Sequence, residues 1–128
     1  MSGLRVLSAD DHPVNLRYLE LLLTGDGHQV HNCANGQLAV DAARERVFDV
    51  VLMDLHMPVM DGETAIRAIR ALPAPHGGMR IIAITADTAD TARQRLMDAG
   101  ADRFLAKPVA PQALREAMAA PLAAPPPA

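Results

Sequence analysis

The sequence lacks three features, and each absence narrows the possible classes of protein. Cys33 is the only cysteine, which excludes an internal disulfide and a multi-cysteine metal site and agrees with a reducing compartment. No apolar run approaches the roughly 18 residues that a membrane-spanning helix needs, and residues 1–9 do not resemble a signal peptide. A net charge of −3 argues against a basic nucleic-acid-binding surface. We therefore expect a cytoplasmic protein without membrane insertion.

Lysine is also scarce, because Lys107 is the only lysine among 12 basic residues. Arginine cannot replace lysine where a compact ammonium group must reach a small site. The single lysine is therefore a candidate functional group, although composition alone is equally compatible with chance.

The apolar pattern predicts alternating strands and helices in one domain that has its own core. The predicted strands are Leu4–Ala9, His28–Cys33, Val50–Met53, Ile81–Thr85 and Arg103–Ala106. The predicted helices run from Pro13 to Gly25 and over Leu38–Arg46, Gly62–Leu72, Ala89–Ala99 and Pro111–Ala120. Such alternation is typical of an α/β fold with a parallel sheet and helices on both faces. We expect one domain over residues 1–120 and a tail or linker stub, rich in proline and alanine, over residues 121–128.

Polar residues follow four of the predicted strands. They are Asp10 and Asp11, then Asp54, then Thr85, then Lys107. The carboxyl ends of parallel strands meet at one edge of a sheet, so these side chains can converge. Each also has a simpler interpretation. Asp10 or Asp11 could cap the helix that begins near Pro13, and Thr85 could be a cap as well. Asp54 could be a turn residue, and Lys107 a solvated charge. The repetition at four strand ends favours a shared site.

The chemistry of these groups is consistent with phosphoryl transfer. Three neighbouring carboxylates either raise a pKa or hold a divalent cation, and oxygen ligands suit Mg²⁺. A lysine and a hydroxyl beside such an ion supply the positive charge and the hydrogen bond that a transferring phosphoryl group needs. A carboxylate can itself be the nucleophile and form an acyl phosphate.

The same residues resemble the receiver domain of two-component response regulators over essentially the whole chain before the tail. The resemblance rests on Asp10-Asp11, Asp54, the segment Met57-Pro58-Val59-Met60-Asp61-Gly62, Thr85-Ala86 and Lys107-Pro108. It implies a flavodoxin-like, doubly wound sheet of five parallel strands in the order 2-1-3-4-5, with five helices. It also implies a phosphoacceptor switch rather than a turnover enzyme.

The resemblance assigns roles around a magnesium ion. A phosphohistidine is implied to donate its phosphoryl group to Asp54. Mg²⁺ is implied to bind Asp11, Asp54 and the backbone carbonyl of His56, with Asp10 acting largely through a water molecule.

Further roles concern the switch and the lifetime of the phosphorylated state. Lys107 is implied to contact the acyl phosphate, and Thr85 and Phe104 are implied to be switch residues. Phe104 lacks the hydroxyl group of the tyrosine that is commoner in the family. His56 and Asp87 occupy positions that tune phosphoryl lifetime in the family, although His56 is also compatible with an ordinary exposed loop histidine.

The stretch Asp10–Leu16 is most similar to receivers of hybrid histidine kinases or of phosphorelays. The expected partners are a sensor histidine kinase or a histidine phosphotransfer protein, with the chain either alone or as part of a larger hybrid kinase. No DNA binding by this chain is expected. The output face implied by the family would include Thr88, Asp90, Arg93, Phe104 and Gln112.

Two alternatives remain open at the level of sequence. A pseudo-receiver would be an interaction module without phosphorylation, although the complete set of site residues counts against it. A phosphatase of the haloacid dehalogenase type would need a second aspartate two residues after Asp54, where His56 stands. The remaining histidines show no clustering typical of metal ligands, and no role is expected for them: His12, His28, His31 and His76.

Overall fold

The computed structural model describes residues 3–87 and 89–119, so the predicted tail lies outside the described residues. The strands are β1 (Arg5–Ala9), β2 (Gln29–Cys33), β3 (Val50–Asp54), β4 (Arg80–Thr85) and β5 (Arg103–Ala106). The helices are α1 (Pro13–Gly25), α2 (Gly36–Glu45), α3 (Gly62–Arg70), α4 (Asp90–Ala99) and α5 (Pro111–Ala119), with a short 3₁₀ helix at His76–Gly78. The predicted alternation is confirmed. In the described part of the chain, no helix combines the length and the apolar character needed to cross a membrane.

The strands form one parallel sheet in the order β2-β1-β3-β4-β5, which confirms the predicted fold class. In the sheet, β2 and β3 lie on opposite sides of β1. The loops after β1 and β3 therefore lead to helices on opposite faces of the sheet, which leaves a crevice between the carboxyl ends of these two strands. All five residues of β3 are buried, as its uninterrupted apolar run predicted.

Two apolar layers cover the sheet because alternate strand residues point to opposite faces. Leu52 of β3 packs in the layer with α1 and α5, whereas Val51 and Met53 pack with α2, α3 and α4. Ile66 and Ile69 of α3 are completely buried, in agreement with the inward face predicted for them. Burial on both sides fixes the position of β3 and therefore that of the acid at its end.

The start of α2 was predicted at Leu38 and lies at Gly36. Asn35 caps this helix, and its side-chain oxygen accepts a hydrogen bond from the backbone N–H of Leu38 at 2.9 Å. The pair Asn35-Gly36 was interpreted as a turn, but an asparagine side chain serves equally well as an N-cap. The other described ends differ from prediction by at most two residues, as the ends of helices and strands commonly do, and the predicted end of α5, Ala120, lies outside the described residues.

Arg70, the last residue of α3, ties two loops together. Its Nε donates to the carbonyl of Gly100 at 2.8 Å, and Nη1 donates to the carbonyls of Gly77 at 2.8 Å and Met79 at 2.6 Å. Its Nη2 donates to Asp102 Oδ2 at 2.8 Å. The guanidinium group therefore satisfies carbonyl and carboxylate groups of two loops, the one that follows α3 and the one between α4 and β5.

Arg70→Ala is expected to lower the free energy of unfolding by about 2 kcal/mol, because three partly buried carbonyls lose this donor and Asp102 loses its charged partner and keeps the hydrogen bond from the Ile81 amide at 2.9 Å. Urea denaturation measures the loss. Arg67→Ala is the matched control on the same helix, because Arg67 makes only an exposed pair with Glu63 at 3.5 Å, and it should cost no more than about 0.5 kcal/mol. Equal losses for the two variants would contradict the role of Arg70.

Asp61 caps α3, since its Oδ1 accepts a hydrogen bond from the backbone N–H of Thr64 at 2.8 Å. This bond favours the carboxylate and lowers the pKa of Asp61 below its usual value, although partial burial opposes the shift. A depressed pKa means that the unfolded chain takes up the proton first. The cap therefore stabilises the fold fully above the unfolded pKa and loses its effect as the pH falls through the folded pKa.

Asp61→Ala is expected to cost about 1 kcal/mol near neutral pH and less in acid, because the wild-type cap weakens there too. Asp61→Asn keeps an acceptor that does not titrate, so its stability should fall less on acidification. Urea denaturation at neutral and acidic pH measures both. Asn35→Ala is the control, since loss of this uncharged cap should cost the same at either pH. An equal acid sensitivity of wild type and Asp61→Asn would contradict the prediction.

Candidate functional site

The four polar strand ends converge at the carboxyl edge of the sheet. Lys107 Nζ donates a hydrogen bond to Asp10 Oδ2 at 2.9 Å and lies 3.1 Å from Asp54 Oδ2. Asp10 and Asp54 are only 3% and 4% exposed, and the Lys107 side chain is 18% exposed. The interpretation of Lys107 as a solvated charge is therefore wrong, as is that of Asp54 as a surface turn residue.

Asp11 completes an acidic cluster with these residues. One ligand atom from each of Asp10, Asp11, His12 and Asp54 can be chosen so that all four atoms lie within 4.8 Å of one another. Asp11 Oδ1 is buried and accepts no hydrogen bond from the residues that the structure describes. His12 Nδ1 is 2.9 Å from this oxygen, but without the geometry of a hydrogen bond. A buried carboxylate oxygen without a donor is a candidate ligand for a cation.

Asp10 and Asp11 do not cap α1. The N-cap residue is His12, and no side chain donates or accepts a capping hydrogen bond there. Asp10 Oδ1 instead accepts from the backbone N–H of His12 at 2.9 Å, which holds the carboxylate in the loop after β1. The helix-cap interpretation of these two acids is therefore wrong.

His12 is a residue of the cluster for which the sequence analysis expected no role. Its Nδ1 lies 3.3 Å from Asp10 Oδ1 and 2.9 Å from Asp11 Oδ1, while 67% of its side chain is exposed. Its position directly after two aspartates was a signal, but only the fold places Asp54 beside the same three residues. The expectation that His12 is unclustered is wrong.

The charges in the site shift the pKa values in opposite directions. Burial raises the pKa of Asp54, the charge of Asp10 raises it further, and Lys107 offsets only part of this effect. Burial also opposes ionisation of Asp10, but hydrogen bonds from Lys107 and the His12 amide outweigh it and lower the pKa of Asp10. Burial likewise disfavours the charged form of Lys107, yet contacts with both carboxylates keep its pKa above the usual value. The charge of Asp54 is thus less well compensated than that of Asp10.

The donor set of the cluster fits a hard divalent cation. Three carboxylates provide oxygen atoms, and Asp11 Oδ1 is free of competing hydrogen bonds within the described residues. Mg²⁺ prefers such oxygen ligands and usually retains several waters. The imidazole of His12 is less suitable for this ion and better placed as a hydrogen-bond donor to Asp10 Oδ1, which lies 3.3 Å from its Nδ1.

Thr85 and Asp87 form the wall of the site that follows β4. Thr85 is fully buried, and its Oγ1 accepts a hydrogen bond from the backbone N–H of Asp87 at 3.0 Å. Thr85 does not cap α4, because the N-cap is Ala89, without a side-chain capping bond. Asp87 Oδ2 lies 3.9 Å from Nε2 of His56, whose side chain is 72% exposed. The two residues predicted to tune lifetime are therefore neighbours on the loops that follow β3 and β4.

Phe104 lies on β5, half-buried against the core layer of α2, α3 and α4. The guanidinium carbon of Arg93, on α4, is 5.8 Å from the centre of the Phe104 ring, within the range of a cation–π contact. Phe104 thus connects α4 with the strand that leads to Lys107. Thr88, from the predicted output face, lies outside the described residues.

The loop after Asp54 contains a strained turn that the sequence did not indicate. Val59 has a φ of 70°, and the backbone N–H of Met60 donates to the carbonyl of Pro58 at 2.7 Å, as in a γ-turn. A β-branched residue is unfavourable at positive φ, so surrounding contacts must hold it there. One such contact is the hydrogen bond from the Gly36 amide to the Met60 carbonyl at 3.1 Å.

Gly62, the first residue of α3, holds the far end of that loop against β3. Its amide donates to the carbonyl of Leu55 at 2.8 Å. A Cβ atom at this position would overlap with the carbonyl oxygen of Asp54. Glycine therefore allows α3 to begin directly against the strand that carries Asp54, which fixes the carboxylate relative to the rest of the site.

Comparison with known proteins gives the same class as the fold and the site. The profile of the family described as "Response regulator receiver domain" matches residues 6–119. The chain belongs to the response regulator receiver domain family. The predicted resemblance is thereby confirmed.

The relatives include large sensor proteins. The sensor protein GacS of Pseudomonas syringae is 39% identical over 114 residues, which are 88% of this chain and 13% of GacS. The sensory/regulatory protein RpfC of Xanthomonas campestris is 39% identical over 121 residues, 91% of this chain and 16% of RpfC. The chain thus spans a small part of the length of these relatives.

A solved structure of high similarity is the receiver domain of a sensor histidine kinase from Pseudomonas aeruginosa, with a TM-score of 0.85 and 35% identity. The match covers 91% of this chain and 95% of that one, and the structure has a magnesium ion coordinated in its active-site cleft. These comparisons confirm the predicted family and fold. They also agree with the predicted similarity to receivers of hybrid histidine kinases.

Proposed function

We propose that this receiver domain accepts a phosphoryl group from a phosphohistidine onto Asp54 and acts as a switch, without turnover of a separate substrate. One observation carries the proposal: the Asp54 carboxylate is buried, 3.1 Å from the ammonium of Lys107, and belongs to a cluster whose neighbour Asp11 has an unsatisfied oxygen. The geometry suits a group that receives a doubly charged phosphoryl group and compensates its charge.

The transfer forms one bond and breaks one. An oxygen of Asp54 attacks phosphorus, the bond between phosphorus and the histidine nitrogen breaks, and that nitrogen keeps the electron pair. The product is an acyl phosphate on Asp54, and the donor histidine leaves as neutral imidazole because its other ring nitrogen carries a proton during the transfer. Lys107 already contacts both Asp10 and Asp54, so its ammonium is placed to pair with a phosphoryl oxygen.

Asp11 and Asp54 would hold Mg²⁺ directly, together with the backbone carbonyl of His56, while Asp10 would act through a water molecule. The contacts of Asp10 support this division, since Lys107 and His12 already donate to its two oxygens. When bound, the ion supplies positive charge that offsets repulsion between the carboxylates and the incoming phosphoryl oxygens.

Thr85 and Phe104 are the proposed switch residues. The Thr85 hydroxyl accepts from the Asp87 amide, so its own proton is available for a phosphoryl oxygen. A movement of Thr85 toward Asp54 would strain that hydrogen bond and shift the loop before α4. Arg93 and Phe104 face each other across α4 and β5, so this shift would reach the aromatic ring.

His56 and Asp87 are proposed to tune the lifetime of the acyl phosphate as a pair. Their side chains approach to 3.9 Å from the loops that follow β3 and β4. We expect the pair to control the access of a hydrolytic water to Asp54.

A protein donor is supported by an apolar patch on α1 beside the site, here called the α1 patch and formed by Val14, Tyr18 and Leu21. These side chains are 79%, 44% and 56% exposed. The Tyr18 hydroxyl donates to the carbonyl of Val109 at 2.9 Å, which joins the patch to the segment after Lys107. Exposed apolar groups grouped on one helix are typical of a protein-binding surface. A small phosphate donor would not need these apolar side chains to bind.

Val14→Glu is expected to slow transfer from a phosphorylated histidine protein by about tenfold or more, while transfer from acetyl phosphate stays within about twofold. The introduced charge disrupts docking of a protein donor but leaves Asp54 and Lys107 in place. Leu38→Glu is the control, since Leu38 is an exposed apolar residue of α2 outside the patch. Equal slowing with both donors would contradict a docking role for the α1 patch.

The proposed donor is a sensor histidine kinase or a histidine phosphotransfer protein, and the proposed setting is cytoplasmic, alone or within a larger hybrid kinase. The similarity to GacS and RpfC supports this setting. The described surface and the net charge of −3 support a protein partner rather than DNA.

Intact-mass analysis tests the proposal. Incubation with acetyl phosphate or with a phosphorylated histidine protein should add one phosphoryl group in the presence of Mg²⁺ and none in EDTA. Borohydride reduction followed by peptide mapping should locate the acyl phosphate at Asp54. Absence of any adduct from either donor would favour the pseudo-receiver, and sustained hydrolysis of small phosphate esters would favour the phosphatase.

A further inference from the structure

We propose a second anion-binding site, for a small phosphate-bearing ligand, in a cavity at the amino-terminal edge of the sheet. The cavity has a volume of about 380 Å³ and lies beside Arg5, Gln29, His31, Arg46 and Phe48. This volume lies in the range of small-molecule sites. The remaining two residues of the lining are apolar, Val6 and Val30.

The pairing of the arginines points to this cavity. Over residues 3–87 and 89–119, the guanidinium groups of Arg5 and Arg46 have no carboxylate within salt-bridge distance and no side-chain hydrogen bond. Arginines elsewhere are engaged, for example Arg70 with Asp102 and Arg115 with Asp26 at 2.9 Å. Two unpaired guanidinium groups thus line one cavity in a chain whose net charge is −3.

Hydrogen bonds hold the backbone of both Arg5 and Arg46. The Arg5 amide donates to Asp49 Oδ2 at 2.8 Å, and the Asp49 amide donates to the Arg5 carbonyl at 2.8 Å. Arg46 is the C-cap residue of α2, and its amide donates to the carbonyl of Ala42 at 3.0 Å. Hydrogen bonds therefore hold the backbones that carry both guanidinium groups, and only their side chains must order around a ligand.

The cavity is also lined by the ring of Phe48 and by two uncharged hydrogen-bonding side chains, His31 and Gln29. Phe48 is 4% exposed, and its ring lies 6.0 Å from that of His31, centre to centre, at 42°. His31 and Gln29 project from alternate positions of β2, on the same face of the strand. An imidazole and a primary amide can donate hydrogen bonds to oxygens that the arginines leave free.

The lining chemistry selects a phosphate over other anions. Planar guanidinium groups pair with two oxygens of phosphate at once, and two of them match a group with several equivalent oxygens. No carboxylate belongs to the lining. A phosphate monoester or diphosphate group satisfies both arginines, whereas a single carboxylate satisfies one.

The cavity is separate from the phosphoacceptor site. Arg5 begins β1 and Asp10 follows its end, so about 17 Å of strand separates the two. The proposed ligand therefore binds without competing for Lys107, and the site stands independently of the function proposed for Asp54.

Titration with inorganic pyrophosphate in EDTA, followed by ¹H–¹⁵N NMR, tests the proposal. Amide shifts of Arg5, Gln29 and His31 should saturate with a dissociation constant of about 1 mM or tighter. Arg5→Gln and Arg46→Gln should each weaken binding by about tenfold, and the spectra themselves report whether each variant is folded. Arg44→Gln is the matched control, because Arg44 lies on the same helix end, pairs with Asp41 and does not line the cavity.

Three results would overturn the proposal. They are the absence of saturable shifts at about 10 mM pyrophosphate, roughly ten times the expected dissociation constant, shifts confined to the neighbourhood of Lys107, and equal weakening by Arg44→Gln. The last would show that pyrophosphate responds to general surface charge rather than to the two unpaired arginines.

Discussion

Asp54→Asn is expected to abolish phosphoryl acceptance and, at the same time, to make the metal-free chain more stable near neutral pH. The functional loss follows because an amide oxygen cannot act as the carboxylate nucleophile. The gain in stability follows from the electrostatics of the site. Burial and the charge of Asp10 raise the pKa of Asp54, so the folded chain holds its proton more tightly than the unfolded chain.

The sign of the pH dependence follows from this shift. An acid with a raised pKa stabilises the fold fully below its unfolded pKa, and this contribution disappears as the pH rises through the folded pKa. Near neutral pH the ionised Asp54 therefore opposes folding. Asparagine retains the shape without the charge, and we expect a gain of about 1 kcal/mol.

Urea denaturation in EDTA measures this gain, and intact-mass analysis measures acceptance. Asp98→Asn is the control for loss of one negative charge, because Asp98 is exposed and accepts a hydrogen bond from Gln94 at 2.7 Å. It should change stability by no more than about 0.5 kcal/mol. A lower stability of Asp54→Asn in EDTA near neutral pH would show that repulsion does not dominate at Asp54.

Mg²⁺ should reverse the order of stability. Binding to the folded chain stabilises it by mass action, and the wild type offers one more carboxylate oxygen than Asp54→Asn. The wild-type midpoint should therefore rise more on addition of Mg²⁺. A midpoint that does not respond to Mg²⁺ would argue against the cation site and leave phosphoryl acceptance to be judged separately by mass.

The sequence predicted the class of fold and the place of the site for a physical reason. The run Val50–Met53 can only be buried on both faces, which requires helices on both sides of the sheet. Parallel strands then bring Asp10, Asp54 and Lys107 to one edge, whatever their separation along the chain. Both conclusions depend on the periodicity of the apolar residues and on the handedness of the connections between strands. A difference at a single residue changes neither.

The contacts that the sequence could not predict all depend on where loops meet. His12 joins the acidic cluster because the loop after β1 turns back on itself through the Asp10 carboxylate. His56 and Asp87 meet because two loops close on each other. The positive φ of Val59 is imposed by the residues around it. Such geometry is set by tertiary packing, which overrides local preference.

Lys107→Ala is expected to lower the free energy of unfolding in EDTA by about 3 kcal/mol near neutral pH, because it leaves two buried carboxylates uncompensated. The pKa of Lys107 is raised by contacts with Asp10 and Asp54, although burial opposes this shift. While both carboxylates are ionised, its stabilising effect is therefore complete below the unfolded pKa of lysine and is lost as the pH rises through the folded value.

The cost of Lys107→Ala should shrink in acid, where protonation of Asp54 and then of Asp10 removes the repulsion that lysine offsets. Urea denaturation at several pH values separates this behaviour from a simple packing loss, which would be independent of pH. Arg17→Ala is the control for loss of a positive charge, since Arg17 makes an exposed pair with Glu20 at 3.3 Å, worth no more than about 1 kcal/mol. A cost that does not vary with pH would contradict the ionic role of Lys107.

Lys107→Arg separates charge from shape. The positive charge remains, so the variant should lose about 1 kcal/mol or less and still accept a phosphoryl group on Asp54. The ammonium of Lys107 reaches Asp10 and Asp54 from a side chain that is 18% exposed, and a planar guanidinium group cannot approach both oxygens through the same space. We therefore expect the phosphorylated variant to lose the chemical-shift changes at Thr85 and Phe104 that accompany phosphorylation of the wild type. A normal response would show that the charge alone suffices, and that the single lysine of this chain is not retained for its shape.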